Sequence, residues 1–251
     1  MMDFSTIFIS MKTAGLSIFI TFFAGLLAAW AIVKMRNEPI KIFLDGVFTL
    51  PIVLPPTVVG FFLLFIFGVR GPIGSFFIDF FAYKIAFSWP ATVIAAVVMS
   101  FPLMYRSARG AFEQVDSNLL DAGRTLGMSE WKIFWKVLFA NSLPGIISGG
   151  ILAYARGLGE FGATAMLAGN IAGQTRTLPL AVYSEVAAGN MAEAFNYVIV
   201  IICIAFIAIF IMDYISKNLQ SATYPNDWDF AGLFNDLVCK AAFAKGKHVF
   251  C

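Results

Sequence analysis

Residues 113–144 read EQVDSNLLDAGRTLGMSEWKIFWKVLFANSLP, the longest polar interruption in a chain otherwise suited to lipid. Asp116 or Ser117 can cap a helix here, because their side-chain oxygens accept from the free N–H groups of a first turn. That helix carries Leu119, Ala122 and Leu126 at helical spacing. Gly127 supplies the left-handed residue that often ends a helix, and Ser129 can cap a second helix starting near Glu130. The expectation is a short, separate amphipathic helix between two membrane segments, with Ala122 and Gly123 small enough for another surface to approach closely. A plain polar loop between two spans fits the same pattern, and pattern alone does not separate the two.

Outward from this stretch the composition is decisive. Hydrophobic residues make up 60% of the 251 and charged residues 13%, with a mean hydropathy of +0.83. A soluble domain of that length carries far more surface charge, so the chain is read as an all-α integral membrane protein. Its one histidine, His248, excludes a histidine-built metal site or catalytic dyad. Cys203, Cys239 and Cys251 have no paired spacing, and Cys203 inside an apolar run reads as a packing residue. Nothing points to nucleic acid, and the first apolar run is too long for a cleavable signal peptide.

Five spans are expected. Residues 13–33 form an uncharged run of about 21, enough to cross a bilayer. Residues 46–69 form a second run broken by Pro51, Pro55 and Pro56; such breaks are tolerated where backbone is packed in protein or lines a cavity, and a loop-to-helix junction is the simpler alternative. A third run covers 85–105, with Pro90 suited to a first turn and Pro102 bending the far end. The fourth runs from about 137 to 167 and the fifth from 194 to 212. Lys34, Arg36, Lys41, Arg106, Arg109, Arg124, Lys132, Lys136 and Lys217 fall on one side, against Lys12, Arg70, Lys84 and Arg176 on the other. The heavier side is expected in the cytoplasm, with the N-terminus outside and the C-terminus inside.

Arg156 and Glu160 lie four apart in the fourth run, on one helical face. A charge at membrane depth costs at least about 2.5 kcal/mol, so such residues face protein or water. Either this face, with Gly157, Gly159 and Gly162, lines or braces a water-filled route, or the pair locks two helices together or lies close to the membrane interface.

Several motifs resemble one family. Asp121-Ala122-Gly123, three residues, then Gly127 is similar to the E-A-A-x-x-x-G coupling motif of membrane subunits of ATP-binding-cassette importers. It departs from that motif at two positions, Asp for Glu and Gly for the second Ala. The Arg156–Thr164 segment RGLGEFGAT, with Gly169-Asn170-Ile171 and the 175–183 segment TRTLPLAVY, resembles the molybdate permease group. So do the 50–60 segment LPIVLPPTVVG and the 67–74 segment FGVRGPIG. Gly-Glu-Phe-Gly is shared with sulfate permeases. The resemblance covers roughly residues 10–218.

It implies a type I importer permease fold of about five transmembrane helices with a cytoplasmic coupling helix. It also implies a homodimer, a cytoplasmic ATP-binding-cassette ATPase dimer using ATP and Mg, and an extracytoplasmic oxyanion-binding protein. Asp121, Ala122, Gly123, Leu126 and Gly127 would couple to the ATPase; Arg156, Gly159, Glu160, Gly162, Pro55 and Pro56 are the route candidates. No G-x-x-x-x-G-K-[ST] phosphate loop occurs, so the chain itself is expected to bind no cofactor and hydrolyse no ATP. The cargo implied is molybdate, with tungstate or sulfate as alternatives. A stand-alone secondary transporter is the competing class, but no inverted repeat is evident and the coupling-like helix would lack a purpose. An intramembrane enzyme ranks last for want of a nucleophile and base. The chain divides into a permease domain, 1–216, and a cytoplasmic tail, 217–251, where Asn226 or Asp227 can cap an amphipathic helix.

Overall fold

The computed structural model describes residues 3–223, and every regular element among them is helical. The expected tail helix, His248, Cys239 and Cys251 lie outside the described residues. α1 (Phe4–Lys34) is capped by Asp3, whose carboxylate accepts from Ser5 N–H at 2.9 Å, so it starts well before residue 13. Lys12 does not end it, because its ammonium sits 3.9 Å from the centre of the Trp89 ring. At about 1.5 Å per residue this helix is roughly 46 Å long, more than the bilayer core requires. α2 (Glu38–Val53) and α3 (Pro56–Phe67) meet at a bend of 113°. The expected run of 46–69 is therefore two helices, broken where Pro55 and Pro56 remove backbone donors.

α4 (Pro72–Phe81) leads to α5 (Trp89–Glu113), with Pro90 in its first turn and Pro102 inside it. α6 (Ser117–Thr125) and α7 (Glu130–Ile133) occupy the polar interruption. α7 runs through a π-helical segment, Phe134–Leu138, into α8 (Phe139–Leu158). The fourth run does not continue to residue 167 as one helix: it stops at Gly159, and α9 (Gly162–Leu167) restarts it. α10 (Leu178–Ala187) lies in the connection between the fourth and fifth runs, and α11 (Met191–Thr223) closes the described chain. Cys203 is exposed on α11 rather than packed inside the chain.

The bundle is organised by one face of α1. Thr6, Ser10, Thr13, Ser17 and Thr21 recur at helical spacing on that face, all buried, and Gly25 and Ala29 extend it. Thr13 Oγ1 pairs with Thr92 Oγ1 at 2.9 Å and Thr21 Oγ1 with Ser100 Oγ at 3.0 Å. A Cβ on Gly25 would stand 2.7 Å from Met104 Cγ. All three pairs are offset by 79 (92 − 13, 100 − 21, 104 − 25), so α1 and α5 run parallel in fixed register. α8 returns antiparallel: Ser142 Oγ donates to Ala111 O at 3.1 Å, and Gly149 and Gly157 pack on Ser107 and on Ser17 and Ser100. Small residues and hydroxyls are what hold helices together in lipid, where burying leucine gains little over exposing it.

The register also settles the span count. Since α1 and α5 point the same way, the chain must cross back between them, and the bent α2–α3 pair supplies that crossing. Among the described residues four helices are long and apolar enough to cross alone, and the bent pair, taken as one span, makes five. Asp3 N–H donates to Tyr197 Oη at 2.9 Å and Leu178 N–H to Ser10 Oγ at 2.7 Å, which puts the start of α11 beside the start of α1.

Candidate functional site

The interruption at 113–144 folds into an elbow. Asp116 caps α6 by accepting from Asn118 N–H at 2.9 Å. Gly127 ends the turn at φ +74°; a Cβ there would meet nothing within 4 Å, so the backbone angle alone calls for glycine. Ser129 stands at the start of α7 without a side-chain cap bond. Arg124 binds both arms: Nη1 reaches Asp121 Oδ1 at 2.6 Å and Nε reaches Glu130 Oε1 at 2.8 Å. The Glu130 hydrogen bond first, then that of Asp121, push the Arg124 pKa upward. Asp121, Ala122 and Leu126 are exposed, with Leu126 at 80%. Gly123 is not: it faces Ile133, where a Cβ would lie 3.2 Å from Cγ1. Its close approach is made within the chain, between the two arms of the elbow.

The elbow rests on the bundle through aromatic rings. Trp30 of α1 lies 4.9 Å from Phe134 and 6.4 Å from Trp131, centroid to centroid, and Lys34 sits over Trp30. Beside it, Asp45 of α2 accepts from Tyr105 Oη at 2.8 Å and pairs with Arg109 Nη1 at 2.5 Å, while Arg109 Nε also binds Glu113 at 2.8 Å. The basic end of the molecule thus collects α2, α5, α6 and α7 around polar contacts. Sequence reading missed both arginine clusters. The Arg124–Glu130 separation of six residues is no helical spacing, and Asp45 is distant in the chain.

The second group of candidates comes together from two spans. Gly159 ends α8 and Glu160 is buried in the break, 2% exposed. Glu160 Oε1 accepts from Ala163 N–H at 2.8 Å, capping α9. Its Oε2 faces Arg156 Nη1 at 2.5 Å without hydrogen-bond alignment, so that contact acts as a charge pair. The pair therefore joins the end of one helix to the start of the next, not two turns of one helix. Gly162 meets the proline bend: its Cβ would lie 2.8 Å from Pro56 Cβ. Gly60 on α3 packs on α9, where a Cβ would lie 2.8 Å from Ala163 Cα. The two interrupted spans touch at their interruptions, joining Pro56, Glu160 and Gly162; Arg156 remains at the margin, its side chain 28% exposed. No groups of three or more His, Cys, Asp or Glu able to hold a metal occur among the described residues.

Five spans, a polar elbow between the third and fourth, and a paired break inside the bundle define a multi-span helical transport subunit. The sequence matches the family described as binding-protein-dependent transport system inner membrane component over residues 21–222, and the chain belongs to it. The chain is 42% identical over 216 residues to the molybdenum transport system permease protein ModB of Escherichia coli (strain K12), covering 86% of this chain and 94% of that one. To the sulfate transport system permease protein CysW of Synechocystis sp. it is 32% identical over 194 residues, covering 77% and 70%. In fold it resembles the inward-facing MetNI methionine ABC transporter, with a TM-score of 0.69 at 17% identity over 85% of this chain and 94% of that one. The chain is thus the inner-membrane permease of a binding-protein-dependent ABC importer, a non-catalytic subunit that works with an ATPase and a binding protein.

Proposed function

We propose that the cargo is molybdate. The observation that carries this is the higher identity, over nearly the whole relative, to the molybdenum permease than to the sulfate permease. The Leu-Pro-Pro and Arg-Gly-Pro-Ile-Gly segments support the same choice. Tungstate, close in size and charge, is the second cargo expected to pass. The elbow is the ATPase contact: Asp121, Ala122 and Leu126 offer its exposed side chains, Gly127 sets its turn, and Gly123 keeps its two arms in touch. Two copies of the chain form the channel, each meeting one subunit of an ATPase dimer that consumes ATP and Mg. The basic end faces the cytoplasm, so the N-terminus is outside and the 217–251 tail inside.

Arg156, Gly159, Glu160, Gly162, Pro55 and Pro56 brace the wall of the route rather than contacting the anion. Both Glu160 oxygens are engaged, and a carboxylate repels an oxyanion. The test is ATPase activity of the reconstituted complex, with binding protein, titrated with molybdate, tungstate and sulfate. Stimulation by molybdate and tungstate but not sulfate supports the proposal. Stimulation by sulfate alone keeps the transporter and overturns the cargo.

A further inference from the structure

At the basic end a cleft of about 630 Å³ opens between the last turns of α5, the start of α6 and the first turns of α8. Its polar lining divides cleanly. Gln114 Nε2 already donates to Gly110 O at 3.0 Å, Asn141 Nδ2 to Val137 O at 2.7 Å and Ser142 Oγ to Ala111 O at 3.1 Å. The Asp116 carboxylate, also at the cleft, accepts from Asn118 N–H. Arg106 and Ser107 are left, and neither has a side-chain hydrogen bond or ion pair to any described residue. Arg109, one turn further along α5, is the opposite case, neutralised by Asp45 and Glu113. One helix end therefore presents two guanidinium groups, Arg109 paired directly with Asp45 and Glu113, and Arg106 on the cleft, which the Asp45 charge reaches only through space and which no side chain binds directly among the described residues.

We propose that this cleft binds the transported oxyanion on the ATPase side of the membrane, with the Arg106 guanidinium as its cation and Ser107 Oγ as a second donor. The inference rests on the oxyanion reading above. A guanidinium offers a planar fork of N–H donors matched to two oxygens of a tetrahedral anion. The cleft is far larger than such an anion, so the anion keeps part of its hydration and charge governs binding more than radius. Binding is therefore weak, salt-sensitive and similar for molybdate, tungstate and sulfate. Discrimination among anions falls to steps before this one, and a loose exit site releases what it receives.

The experiment uses the nucleotide-free permease–ATPase complex without binding protein, dialysed against labelled molybdate and, separately, sulfate. Arg106→Gln is expected to weaken binding of both by about tenfold or more, since a charge-assisted contact is lost. Arg106→Lys keeps the positive charge but loses the fork, so it is expected to bind both anions more weakly than wild type and more tightly than Arg106→Gln. Binding by Arg106→Gln equal to wild type, or no binding by wild type, overturns the site. Loss of the ATPase subunit from the Arg106→Gln complex on gel filtration also overturns it, since Arg106 then serves docking. Should that variant fail to fold, an Arg106→Lys complex unable to bind either anion overturns the site as well. Uptake is measured in parallel in proteoliposomes with binding protein. Wild type taking up no oxyanion defeats the cargo reading itself, whereas uptake without binding at the cleft defeats only the site.

Discussion

The seam between α1 and α5 and the elbow at α6–α7 are held together by opposite means. The seam is buried and fixed by paired hydroxyls and small residues at a constant offset, with Lys12 over the Trp89 ring at the start of α5. The elbow is exposed and charged, closed by Arg124 on its surface and by one glycine angle. Buried contacts that need register resist deformation, whereas exposed ion pairs are weak and screened by salt. The molecule thus has a stiff frame and a compliant handle, and the contact between the two interrupted spans belongs energetically with the frame.

The largest effect is expected at Arg156, whose loss isolates a buried carboxylate. Arg156→Met should cost about 3–5 kcal/mol, read as the thermal midpoint of the purified complex. A change within error would remove the broken spans from the frame. Glu160→Gln keeps an acceptor for Ala163 N–H and should cost less; folded yield and transport falling together would mark the pair as bracing. Next come Gly60→Leu and Gly162→Leu, each forcing a side chain into the α3–α9 contact, with about 1–3 kcal/mol lost to overpacking.

Gly127→Val should cost about 1–2 kcal/mol locally through the positive φ, reducing ATPase retention while leaving the bundle's thermal midpoint unchanged. Retained ATPase binding and transport would count against the coupling role of the elbow. Thr21→Ala removes one hydroxyl pair and should cost about 0.6 kcal/mol, the mean for such bonds between membrane helices. The smallest effect is at Arg124: Arg124→Ala should leave stability unchanged at high salt, and a salt-independent loss would mean the handle is stiffer than its geometry implies.

Features that depend on a few neighbouring residues were legible in the chain. Asp116 as a cap, Gly127 as a left-handed turn, Pro90 in a first turn and a break at Pro55-Pro56 all follow from local chemistry. The Thr6, Ser10, Thr13, Ser17, Thr21 stripe was equally visible as spacing, yet averaging hydropathy along a span conceals which face is polar. The early start of α1 was hidden by Lys12, whose charge is met by a ring from another helix. Which interruption meets which, and the enclosure of Gly123, depend on contacts distant in the chain, so no local pattern carries them.

The constant offset of 79 restricts how this protein can move. Sliding α5 one turn along α1 would set Thr13 opposite Ala96 and Thr21 opposite Met104, or, the other way, Thr21 opposite Ala96. Either step brings Ser17 opposite another hydroxyl, Ser100 or Thr92, but it also replaces Gly25 opposite Met104 with Thr21 or Ala29, whose Cβ finds no room there, so the pair behaves as a keyed joint, free to tilt as one piece but not to shear. Any cycle between outward and inward openings must then be a rocking of this joined blade, with sliding confined to surfaces that carry no matching teeth.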